Sequence, residues 1–272
     1  MSRCIAVASG KGGVGKSVVT ANLAAVLAMN GSRVIIVDAD IGLRSQDVLL
    51  SMENRVVYDL VDLSVGSCQP EQAILASEEI PSLYLLPASQ FSRAKSLDPR
   101  RFRKILDYLR LHYDVILIDC PAGIERGLRN VLNTGLDEML LIVTPDDVSI
   151  RSAERAVQVM ETKQNIRPRL IVNRLDPMFV RSGEMLSAAT VAQILDLELL
   201  GVIPEDPVVY RSILKHRLFI RYDCEARNAL IRIAMRFQGK QIPLRTFTEP
   251  CRRLFRRSVP KALKEVTAID DH

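Results

Sequence analysis

A chain of 272 residues is long for one small domain but of a size that a single large α/β unit fills, so one domain with a tail is expected rather than two independent domains. Hydrophobic residues at 48% and charged residues at 25% are the balance of a chain with a sizeable core, which excludes disordered and fibrous classes. The net charge is +5, but residues 245–264 hold seven cations against Glu249 alone, so the rest of the chain is slightly acidic and the basic character belongs to the C-terminal segment.

In chain order, residues 3–8 are an apolar run, 16–29 a helical stretch and 34–37 a second apolar run, which together read as a βαβ unit. Further strands are expected at 83–86, 115–118, 139–143, 170–172 and 200–203, with helices at 101–111, 149–163, 188–195 and 225–236. The strands are nearly continuous in apolar residues, as strands buried on both faces are. This alternation predicts an α/β fold, a doubly wound, mostly parallel sheet flanked by helices, with ligand chemistry at the carboxyl ends of the strands. Residues 1–240 are read as this domain and 241–272 as a tail, punctuated by Pro243, Pro250 and Pro260. No apolar run approaches the roughly 18–20 residues that cross a bilayer, and the first is too short for an export signal. Five scattered cysteines (Cys4, Cys68, Cys120, Cys224, Cys251) without a Cys-x-x-Cys pair suggest a reducing cytoplasm, neither disulfides nor zinc.

Gly10-Lys11-Gly12-Gly13-Val14-Gly15-Lys16-Ser17 fits Gly-x-x-x-x-Gly-Lys-Ser/Thr between a predicted strand and a predicted helix, the context that pattern requires. Its glycines let backbone N–H groups curl inward onto phosphate oxygens, and the helix N-terminus adds partial positive charge. Lys16 is expected on the β- and γ-phosphates and the Ser17 hydroxyl on Mg²⁺, with Val18 completing the cradle. Lys11 is a second lysine inside the loop and is expected to point outward, because its own backbone already surrounds the phosphates.

Residues 115–118 end in Asp119, a Walker B arrangement that places a carboxylate where it can hold the metal. Residues 34–37 end in Asp38-Ala39-Asp40, two more acids at the same sheet edge; Asp40 is favoured for orienting the attacking water and as a metal-site residue, with Asp38 in support. No glutamine stands in an obvious water-positioning place, so weak hydrolysis by the isolated protein is expected. Asn173-Arg174-Leu175-Asp176 is reminiscent of the guanine-reading Asn-Lys-x-Asp, with Arg in place of Lys.

Lys-Gly-Gly-Val-Gly-Lys-Ser resembles the deviant Walker A motif of the ParA/MinD superfamily of P-loop ATPases. Over roughly residues 2–240 the resemblance is to its MinD branch of septum-site determining ATPases, carried also by stretches 38–44, 55–59, 83–90, 119–125 and 201–206. The resemblance implies ATP as substrate with Mg²⁺, and that Lys11 crosses a homodimer interface to the partner's nucleotide, where a cation delivered on dimerisation would neutralise developing charge. It implies that Asn173 and Arg174, with Pro204, Glu205 and Asp206, border an adenine base. Recruitment of a MinC-like division inhibitor and of a MinE-like or other regulator that stimulates hydrolysis is implied in the same way. Ser45 stands where MinD proteins usually carry Asn, in the first switch region.

In the tail, Cys251, Leu254 and Phe255 fall at i, i+3 and i+4, with Arg252, Arg253, Arg256 and Arg257 on the other side. One greasy and one cationic face near 250–259 is the composition of an interfacial helix on an anionic membrane surface. Two or three turns are too short to be stable alone in water, so two tails presented by one dimer would supply avidity. The protein is thus expected in the bacterial cytoplasm and reversibly peripheral on the inner membrane. The competing reading is a ParA-like DNA-partition ATPase, for which the slightly acidic body is unsuited. An iron–sulfur carrier would need a partner for Cys120, and a small-molecule P-loop kinase an acceptor pocket.

Overall fold

The computed structural model describes residues 2–90, 97–123, 126–164 and 166–247. Strand β1 (Arg3–Ala8) leads through the loop into α1 (Lys16–Met29) and β2 (Val34–Asp38). Three short helices come next, α2 (Gln46–Leu49), α3 (Leu60–Val65) and α4 (Pro70–Ala73), then β3 (Leu75–Ala76) and β4 (Leu83–Leu86). The chain continues as α5 (Pro99–His112), β5 (Val115–Asp119), α6 (Arg126–Leu132), β6 (Glu138–Val143), α7 (Asp147–Gln164) and β7 (Arg169–Leu175). It closes with α8 (Pro177–Ser182), α9 (Ala188–Leu195), β8 (Leu199–Pro204), α10 (Pro207–Leu214) and α11 (Glu225–Phe237).

The eight strands form one sheet in the order β3-β4-β2-β5-β1-β6-β7-β8, parallel except for the β3–β4 pair. Side chains alternate between two apolar layers, as the pleat requires. Cys4, Ala6 and Ala8 of β1 face the layer beneath α5, α6, α7 and α9, whereas Ile5 and Val7 face the layer beneath α1 and α11. Because β1 lies between β5 and β6, the chain leaves it in one direction toward β2 and later in the other toward β6. The loop after β1 therefore sits at the topological switch point, where open α/β sheets hold ligands.

Every strand and helix expected from the sequence is present, with ends that match or extend the expected ones by up to three residues. The small elements α2, α3, α4, β3, α6, α8 and α10 were not anticipated. Several have local caps that a sequence can show: Asp59 forms a capping box with Asp62, and Asp176 and Asp206 cap helices that begin with Pro177 and Pro207. Beyond α11 the chain turns back along that helix. Arg236 donates to the carbonyls of Leu200, Ile242 and Pro243, and Phe247 is buried beneath Arg245 and Arg232. The amphipathic segment near 250–259, with Leu254, Phe255, Arg252, Arg253, Arg256 and Arg257, lies outside the described residues. No helix among the described residues is long and apolar enough to cross a membrane.

Candidate active site

The glycine-rich loop is held from two sides. Gly15 caps α1 in the left-handed region at φ 88°, and a Cβ there would also lie 2.5 Å from Asn173 Nδ2. That amide donates to the Val14 carbonyl at 2.8 Å, so β7 braces the loop. On the opposite side a Cβ on Gly10 would come within 2.3 Å of the Ser152 backbone on α7. Only glycine lets the loop pass that close.

Lys16 and Asp119, taken from the loop and from the end of β5, meet in the interior. Lys16 Nζ pairs with Asp119 Oδ1, with both side chains almost wholly buried, and lies 3.3 Å from Ser17 Oγ. Burial alone would lower the Lys16 pKa, but the Asp119 carboxylate against it outweighs burial and raises it. Asp38 is the register partner of Asp119 on β2. Its carboxylate is fully buried and accepts N–H bonds from Asp40 at 3.0 Å, Ser45 at 3.1 Å and Gln46 at 3.0 Å. Burial, with Asp119 nearby, pushes its pKa up to about 7. Asp40 is half-buried at the same edge; burial and the Asp119 charge raise its pKa against the opposing pull of Lys16.

Lys11 lies on the rim, not in this interior. Its ammonium is 2.9 Å from Asp146 Oδ1 in the turn between β6 and α7, in a half-exposed setting. Asp146 also accepts from the Thr144 hydroxyl at 2.5 Å and from the Ser149 N–H at 2.9 Å. These donors and Lys11 outweigh its partial burial and lower its pKa.

The residues expected around a base divide into two groups. Asn173 is spent on the loop, while Arg174 is exposed in the left-handed region at φ 58°. Pro204 ends β8 and Glu205 is exposed beside it. Asp206 is engaged with backbone, accepting from Val208 at 3.0 Å and Ala226 at 3.2 Å.

Two residues of this site were missed by sequence reasoning. Gln46 is the first, since the sequence shows no glutamine in an obvious water-positioning place. Its side chain is wholly buried, and Nε2 donates to Asp119 Oδ2 at 2.6 Å and to the Ser17 carbonyl at 3.1 Å. Asp146 follows β6 at the same carboxyl edge as the other strand-end acids, and that shared position was a usable signal. The arrangement suits magnesium: hard oxygens from Ser17 and Asp119 converge on Lys16 Nζ, and two N–H donors occupy the Asp119 carboxylate where a hydrated cation would be welcome.

A family profile described as AAA domain matches residues 2–172. The septum site-determining protein MinD of Helicobacter pylori is 41% identical over 249 residues, which cover 89% of this chain and 92% of that protein. Among solved structures, the MinC:MinD cell division protein complex of Aquifex aeolicus matches with a TM-score of 0.84 at 36% identity, over 90% of this chain and 98% of that one. MinD of Pyrococcus horikoshii complexed with Mg-ADP matches with a TM-score of 0.77 at 30% identity, over 87% and 96% of the two chains.

Proposed function

The chain belongs to the MinD family of septum site-determining cell-division ATPases, and from that membership we propose that ATP closes two copies into a dimer whose paired tails grip the membrane. The observation that carries this reading is the separation of the two loop lysines: Lys16 faces the interior against Asp119, whereas Lys11 rests on the rim, held by one half-exposed carboxylate. A rim lysine so held is free to exchange Asp146 for phosphate oxygens of a nucleotide bound by the facing copy.

In this reading Lys16 leaves Asp119 for the β- and γ-phosphates, which the loop from Gly10 to Val18 cradles. Ser17 and Asp119 hold Mg²⁺, with Asp40 completing the acidic edge, and when bound the cation neutralises the charge of the phosphates. Asp38 fixes the turn through three backbone bonds. Asp40, half-buried at that edge, orients the attacking water. Arg174 and Glu205 border the adenine. Lys11 from the partner copy meets the charge that develops as the bond breaks.

Residues 1–240 form the ATPase domain, and the segment near 250–259 is the anchor: Leu254 and Phe255 enter the acyl boundary, and Arg252, Arg253, Arg256 and Arg257 meet anionic headgroups. The Aquifex relative was solved as a MinC:MinD complex, which supports recruitment of a MinC-like division inhibitor by the membrane-bound dimer; a MinE-like or other regulator then stimulates hydrolysis and release. Co-sedimentation with anionic vesicles tests the switch. ATP should increase the bound fraction over ADP, and Lys16→Ala and the Leu254→Glu/Phe255→Glu double variant should each lose that increase. Equal sedimentation with ATP and ADP, or a double variant that sediments like the wild type, rejects it.

A further inference from the structure

Gln46 opens α2, and its side chain bridges two parts of the site at once. The amide Nε2 donates to the Asp119 oxygen that Lys16 leaves free and to the Ser17 carbonyl. Gln46 Oε1 and the neighbouring Ser45 Oγ and Asp47 Oδ1 are buried without hydrogen-bond partners among the described residues. Asp47 is held by an ion pair with Arg44 at 2.7 Å. Buried oxygens without donors carry their full desolvation cost. The backbone adds to it, because Arg44 (φ 41°) and Ser51 (φ 55°) stand in the left-handed region on either side of α2. The helix is therefore seated at a cost, and the bond to Asp119 is one of the contacts that hold it there.

We infer that Gln46 is a positioning residue that seats α2 on Asp119 and gives up that seat when Asp119 turns to the magnesium shell, so that cation arrival is transmitted to residues 42–51. The inference rests on the proposed role of Asp119 as a metal-site residue. Its logic is competition for one acceptor. An amide N–H and a hydrated cation both require the Asp119 carboxylate, and an N–H dipole aimed at a cation is repelled by it. Coupling of this kind is reciprocal: whatever the cation does to α2, α2 does to cation affinity. The segment it moves carries Leu43, 72% exposed, and Val48 on its outer side, so its displacement remodels an apolar patch beside the nucleotide edge.

The test measures binding of a fluorescent ADP analogue with Mg²⁺ and with EDTA, in the wild type, Gln46→Leu and Gln46→Asn. The readout is the gain on adding Mg²⁺, taken as a ratio within each protein, so that any change in EDTA affinity from the lost bond to the Ser17 carbonyl cancels. The gain on adding Mg²⁺ should be about tenfold larger in both variants, since neither has a charge-accepted hydrogen bond to displace. A structural role alone would weaken binding in both media and leave the gain unchanged; a gain within twofold of the wild-type gain overturns the inference. A wild type with no Mg²⁺ gain rejects instead the metal-site reading of Asp119 on which it rests. Hydrogen exchange on the wild type keeps the test independent of variant folding. Amides of 42–51 should exchange faster with Mg-ADP than with ADP in EDTA, and equal protection in the two overturns the inference.

Discussion

The two lysines of one loop end on two carboxylates, and the settings differ in almost every physical respect. Lys16 and Asp119 are buried together, with Thr20 Oγ1 3.5 Å from the same oxygen and Gln46 on the other. Lys11 and Asp146 meet in a half-exposed position, where water and salt compete for both partners. In the interior neither charge can be left alone, so that pair is fixed until another ion replaces a partner. On the rim the pair is cheap to open. One loop thus carries one cation locked in the interior and an exchangeable one at its edge.

The largest effect should come from breaking the interior pair. Asp119→Ala strands a buried ammonium and should cost about 3–5 kcal/mol in urea unfolding. Replacing both partners, Lys16→Met with Asp119→Leu, should recover most of that stability while abolishing ATP binding, which would separate the structural role of the pair from its chemical one. A double variant no more stable than Asp119→Ala would show that packing around β5, rather than the unpaired charge, sets the cost.

Next in size is the loop backbone. Gly15→Ala forces a left-handed alanine against Asn173 Nδ2, and about 1–3 kcal/mol of destabilisation should appear in thermal unfolding, together with weaker nucleotide binding. The same substitution at Gly12, where a Cβ meets nothing within 4 Å, should leave stability nearly unchanged.

The interior also predicts a pH signature opposite in sign to that of the rim. Asp38 has its pKa pushed up to about 7, while an unfolded Asp titrates near ~3.9. Between those values the folded chain holds a proton that the unfolded chain has released, so stability from this group falls as pH rises through that window, by up to about 1.4 kcal/mol per pH unit. The effect ends above the folded pKa. Thermal midpoints of wild type and Asp38→Asn across pH 5 to 8 isolate it. The wild type should lose more stability toward pH 8 than the variant, and parallel curves would remove Asp38 from the account.

The same contrast explains what was legible in the sequence. Strands such as 115–119 are continuous apolar runs, and the acids that end them fall at the sheet edge by register alone, so Asp38, Asp40 and Asp119 were readable beside the Lys16 loop. Gln46 was not, because its bond to Asp119 spans 73 residues and arises from the placement of a four-residue helix. Asp146 is 135 residues from Lys11, so their pairing is a product of strand order. Short elements such as β3 and α4 have too few residues to show a period and exist through tertiary contact. The acids were visible because each stands at or just past the end of a recognisable strand, whereas the partners that hold them and Lys11 come from a four-residue helix and a turn.

The smallest effect is expected at the rim, and there it is most informative. Lys11→Met removes the cation but leaves Asp146 its bonds from Thr144 and Ser149, so the turn before α7 keeps its structure. Unfolding free energy should change by no more than about 0.5 kcal/mol, because an ion pair with one partner nearly half exposed contributes little beyond screening. The lowered pKa of Asp146 depends partly on Lys11, so the contribution it makes above the ordinary carboxylate range and loses as pH falls should shrink in the variant. Dimerisation with ATP, followed by light scattering, should nevertheless be lost. A variant as stable as the wild type and unable to pair would assign Lys11 to the facing copy's nucleotide; one that still pairs with ATP would return it to the status of a surface lysine.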